Sequence, residues 1–117
     1  MPLRVNNVTR GRTLALRTDR ADGFWTRLVG LMGRPGLRAG EGLHLTPCNS
    51  VHSFFMRFAF DAVFLDRELR VVRCVEAMAP WRATPVIRGA HSVVELPAGT
   101  VAATGTRPGD LLAFETG

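Results

Sequence analysis

The sequence predicts a mainly β protein, a compact sandwich or barrel of jelly-roll type, with one short α-helix near residues 22–32. Three observations carry this. Several short runs alternate apolar and polar residues with period 2. Gly, Pro and Asp turn signals separate those runs. Only one segment shows a helical period.

In chain order, residues 3–6 and 13–18 read as short strands, with Leu14 and Leu16 alternating against Thr13, Ala15 and Arg17. Phe24, Trp25, Leu28, Val29 and Met32 fall on one face of a helix, so Trp25, Leu28 and Met32 are expected against the sheet. Asp22 is the expected cap and Gly33 the expected stop, before Pro35. The glycine-rich stretch 33–42 reads as irregular chain carrying Arg34 and Arg38. Residues 42–45 form a short strand ended by Pro47. From His52 to Leu65 the alternation is long, with His52, Phe54, Met56, Phe58, Phe60, Ala62 and Phe64 on one parity. A strand of that length needs a bend, expected near Arg57–Ala59. Asp66-Arg67-Glu68 is a hairpin turn into strand 69–75. A Pro-containing connection over 76–89 leads to strand 91–96. Ala98-Gly99 and Pro108-Gly109-Asp110 are turns, the second leading into strand 111–115.

A chain of 117 residues, 46 % hydrophobic and 21 % charged, suits a single globular domain over 1–117. It is too short for an enzyme with a separate cofactor domain. All 15 basic residues are arginines. Residues 1–58 hold nine arginines against Asp19, Asp22 and Glu41, a balance of +6, whereas the rest of the chain is at −1. This basic front half could serve RNA or an anionic membrane surface, but the aromatics cluster elsewhere, and a solvated face is the expectation. Nucleic acid is not the expected partner. The opening residues lack a signal-peptide apolar region, and no stretch reaches the length of a membrane span, so a cytoplasmic monomer is expected. Cys48 and Cys74 match no CxxC pattern and read as free thiols.

Phosphate-loop, dinucleotide, HExxH and GxSxG patterns are missing. Six polar positions stand out instead. His44, Cys48 and His52 are spaced four apart across Pro47, and imidazole with thiolate suits zinc or copper. The same cysteine and histidine could form a nucleophile–base pair. Asp61 lies in an apolar run and needs a partner if buried, for which Arg57 is the candidate. Glu95, between Val94 and Leu96, poses the same question.

The chain also resembles a known family. Arg27-Leu28-Val29-Gly30-Leu31-Met32 with Arg34 is similar to the opening motif of the small prokaryotic proteins called domain of unknown function 192. Gly42-Leu43, Phe55-Met56, Asp61 to Asp66, Glu95-Leu96-Pro97-Ala98-Gly99 and Gly109-Asp110 follow in the family's order. Many relatives have a longer insert between the Met and the Asp than this chain has. The resemblance implies a compact jelly-roll-type β-sandwich and supplies no activity.

Three functions follow as expectations, one of them an RNA- or membrane-surface-associated module that uses the basic front half. The leading one is a non-catalytic module that binds a small ligand, such as a sugar or peptide, through Cys48, His52, Arg57 and Asp61, with Arg34 as an anion contact and no cofactor. The alternative is a metal-dependent enzyme using His44, Cys48 and His52.

Overall fold

A strand shows successive side chains to opposite faces, and here both faces of the sheet are covered. The computed structural model describes residues 2–116, apart from the side chains of Phe24, Trp25 and Leu28. Its strands are β1 (Leu3–Asn7), β2 (Arg12–Ala21), β3 (Glu41–Leu45), β4 (Phe60–Leu65), β5 (Val71–Met78), β6 (Ser92–Pro97) and β7 (Leu112–Thr116). Two short helices, α1 (Phe24–Val29) and α2 (Thr100–Thr104), join them. The sheet order is β5-β4-β6-β3-β2-β1-β7, antiparallel except between β2 and β3.

The sheet curls towards a barrel. Its two edges meet where Val71 N–H donates to the Asp110 carbonyl and Gly109 N–H to the Val71 carbonyl, both at 2.8 Å. Asp110 locks this corner, accepting from Arg10 Nε at 2.8 Å and Asn7 Nδ2 at 2.9 Å. Inside the curl lie Val5, Leu14, Val63, Leu65, Val94, Leu96 and Leu112, with Val101 of α2 among them. Outside it, Leu43, Leu45, Phe60, Ala62, Phe64 and Val93 pack under Leu31, Val51, Met56 and Ile87 from the connecting segments. Both clusters draw on β4, all of whose residues are buried. The mainly β expectation is met.

Several elements differ from the sequence expectation. Residues 52–59 are not strand: His52 makes an isolated bridge to Ala83, and Phe55 has φ 65°. Ser53 causes this. Its fully buried hydroxyl donates to the Ala79 carbonyl at 2.6 Å and accepts from Arg82 N–H at 2.8 Å, tying the segment to 79–82. Period-2 apolar weight therefore predicted a strand more than twice as long as the one that forms. Strand β5 runs to Met78, past the expected end at 75. The expected turn at Ala98-Gly99 is present, but it leads into the unforeseen short helix α2.

Helix α1 ends at Val29, short of Gly33, because Gly30 takes φ 49° and ψ −121°. Its N-cap is Gly23, whose N–H donates to Thr26 Oγ1 at 3.0 Å; the Asp22 carboxylate instead faces Arg20 at 3.5 Å. The expected burial of Trp25 and Leu28 lies outside the described residues.

Candidate functional site

Register places one carboxyl under the outer layer. Glu95 pairs with Leu43 of β3 and Ala62 of β4, both in the outer cluster. Its side chain therefore enters that layer, where it lines a cavity of about 40 Å³ with Cys48, His52, Met56, Leu45 and Gly30. That is room for a water molecule or two. The loop after β3 is set by Cys48 N–H donating to the His91 carbonyl at 2.8 Å, and the Cys48 thiol donates to the Ser50 carbonyl at 3.0 Å. His52 Nδ1 accepts from Phe54 N–H at 3.2 Å.

Glu95 is 3 % exposed, and its Oε1 has no hydrogen-bond partner among the described residues. Burial lifts its pKa from the ordinary 4.5 to about 8, against a lowering pull from the Arg34 guanidinium. At neutral pH it is mostly a protonated acid, able to donate as well as accept. A Cβ at position 30 would lie 3.7 Å from this oxygen, so the end of α1 borders the carboxyl closely.

On the far side of that helix end is an open cleft of about 340 Å³, lined by Asp19, Arg20, Thr26, Val29, Gly30 and Arg34 among others. Val29 and Gly30 border both spaces.

Comparison with known proteins matches residues 5–114 to the uncharacterized ACR family, domain of unknown function 192. The chain belongs to this family. It is 38 % identical over 109 residues to a UPF0127 protein of Pyrococcus furiosus, covering 91 % of this chain and 93 % of that one. A UPF0127 protein of Thermococcus sibiricus is 34 % identical, with 93 % and 73 % covered. The crystal structure of a Novosphingobium aromaticivorans protein of unknown function has the same fold, with TM-score 0.83 and 24 % identity over 97 % of this chain and 84 % of that one.

The motifs that link this chain to the domain of unknown function 192 family divide between frame and cavity. Asp61 belongs to the frame. It is fully buried on the inner face, where Oδ1 accepts from Ala77 N–H at 2.8 Å and Oδ2 from Val101 N–H at 2.9 Å. It thus caps α2 from a neighbouring strand. It does not line the cavity of Cys48 and His52, because odd positions of β4 face inward and Glu95 faces outward. Arg57 is exposed and forms no ion pair with Asp61. Asp110 is also frame: burial pushes its pKa up, but bonds from Arg10, Asn7 and the Arg107 N–H outweigh this and hold it low. Gly30, Arg34 and Glu95 belong to the cavity and cleft.

The metal set does not assemble. His44 sits on the inner face, its ring 4.4 Å from that of Phe114, while Cys48 and His52 line the outer cavity. An even-numbered residue of β3 cannot share the face of Leu45. Burial, followed by Arg20 and His91, lowers the His44 pKa to about 4. No three His, Cys, Asp or Glu among the described residues are grouped to hold a metal ion. Burial also raises the Cys48 pKa, which leaves little thiolate for the nucleophile role. Arg34 lines the cleft, Cys48 and His52 line the cavity, and the further polar residue found there is Glu95. Its signal was a charged residue inside the Val93-Val94-Glu95-Leu96 run.

Proposed function

We propose that this protein is a non-catalytic binding module for a small polar ligand, held at the end of α1. The observation that carries this is Glu95: a carboxyl buried under the outer layer with one oxygen unpaired. Leaving such a group unsatisfied costs about 1–3 kcal/mol, which a ligand or an ordered water can recover. The cleft beside it has the volume of a small-ligand site. Arg34, which lines that cleft and whose charge reaches Glu95, supplies a cation for a carboxylate or another anionic group. Cys48 and His52 add a weak donor and an imidazole on the cavity side.

Calorimetry with monosaccharides, disaccharides and dipeptides tests the reading. A binder is expected whose affinity falls at least tenfold in Glu95→Leu and in Arg34→Gln. If no member of the set binds at millimolar concentration, or binding ignores both substitutions, the reading is wrong.

A further inference from the structure

Two loops on the outer layer carry an unusual concentration of exposed apolar side chains. Of the seven large hydrophobic residues that are exposed among the described residues, Phe54, Phe55, Trp81 and Val86 lie in segments 51–59 and 79–90. Single exposed hydrophobes are ordinary; a contiguous group marks a contact surface. Three of these are contiguous. The Phe55 and Trp81 rings lie 4.8 Å apart, and Phe54 is 6.0 Å from Trp81.

The backbone holds them out at a cost. Phe55 and Trp81 have φ of 65° and 63°, a left-handed conformation that bulky residues rarely take. The buried Ser53 enforces both turns: its carbonyl accepts from Met56 N–H at 3.2 Å and Trp81 N–H at 2.9 Å. Two adjacent turn tips are thus pinned together, each presenting an aromatic residue to solvent.

The charge that these two segments carry is of one sign. Segments 51–59 and 79–90 contain Arg57, Arg82 and Arg88, all exposed, and no acidic residue. Arg57 follows Phe55 by two positions, and Arg82 follows Trp81 directly.

We infer that this aromatic tip docks the protein peripherally on an anionic lipid surface. Tryptophan and phenylalanine settle at the boundary of headgroups and acyl chains, and arginines beside them meet lipid phosphates. A single-stranded nucleic acid also joins bases to aromatics and phosphates to arginines, but it needs open ring faces. Here the rings pack into one cluster instead of standing apart as separate platforms: His52 stacks on Phe54 at 5.3 Å and 28°, Phe54 lies 6.0 Å from Trp81, and Phe55 tilts 60° against Trp81. Such a cluster offers solvent one continuous apolar surface, which inserts into lipid without having to stack. This inference stands apart from the Glu95 site and does not depend on it.

Vesicle co-sedimentation tests it, with phosphatidylcholine vesicles and phosphatidylcholine–phosphatidylglycerol vesicles as probes. Binding is expected to the anionic vesicles alone, weakening as salt is added. Arg57→Gln and Arg82→Gln should each weaken it about fivefold. Phe55→Asn and Trp81→Asn should abolish it, since Asn keeps the left-handed backbone but removes the ring. Unchanged thermal unfolding of the two arginine variants separates lost docking from lost folding. Absence of binding to anionic vesicles overturns the inference. So does binding that survives both Asn substitutions, or a labelled single-stranded oligonucleotide that binds in their place and loses affinity in Trp81→Asn.

Discussion

Replacing Glu95 by Gln should make the protein more stable at alkaline pH, by an amount that grows through neutrality. The two side chains have nearly the same shape, so the cavity around Gly30, Cys48 and Met56 keeps its packing. What changes is titration. In the unfolded chain Glu95 loses its proton near 4.5; in the fold it keeps it until about 8. Between those values the native state binds more protons than the unfolded state, so stability falls as pH rises. Below 4.5 the full contribution is present, and above 8 it is gone. The 3.5-unit span, at about 1.4 kcal/mol per unit, sets an upper limit of about 5 kcal/mol. Water entering the cavity would relax the charge and reduce this, so about 2–5 kcal/mol is expected. Urea melts of both proteins at intervals from pH 4.5 to 9 measure the difference directly, because every other titrating group cancels. Wild type and Glu95→Gln should agree within about 1 kcal/mol at the acid end and diverge steadily above it. A difference that stays flat across the range would refute the buried, protonated carboxyl and the site built on it.

Asp61→Ala should cost about 3 kcal/mol in the same melts, since it strands the buried N–H of Val101 and removes the part-buried bond from Ala77; a loss below about 0.5 kcal/mol would contradict the capping role. His44, neutral in the fold down to about pH 4 but protonated near 6.5 when unfolded, gives stability that is complete above 6.5 and drains away as pH falls towards 4. Its ring should show no titration by NMR between pH 5 and 8, the interval in which an ordinary histidine changes charge. Both thiols should alkylate slowly at pH 7, because burial raises Cys48 and burial, Glu76, Asp110 and Asp61 raise Cys74 to about 11. Rapid modification of Cys48 at that pH, seen by mass spectrometry, would restore it as a nucleophile candidate.

Period 2 and turn chemistry were enough to make the class legible, along with most strands, because alternation and Gly or Pro punctuation are local properties of the chain. The family motifs were legible too, since they are read from order and spacing. Local pattern misled where a side chain acted at a distance. Ser53, polar and unremarkable in the run from His52, turns that run out of the sheet by bonding to 79–82. Gly30 ends α1 three residues before the Gly33 stop that pattern alone suggests.

What only the tertiary structure decided is which polar residues meet. His44, Cys48 and His52 are neighbours in sequence, yet the sheet passes between the first and the other two. Asp61 and Glu95 are both carboxylates inside apolar strands, with nearly the same local pattern. Pairing β4 with β6 sends Asp61 inward to two waiting N–H groups and Glu95 outward to a cavity where one oxygen has none. A shift of one residue in register would exchange those faces. Alternation states that such a residue is buried on one side; only the packed neighbours determine whether that side completes it or leaves it open to a ligand.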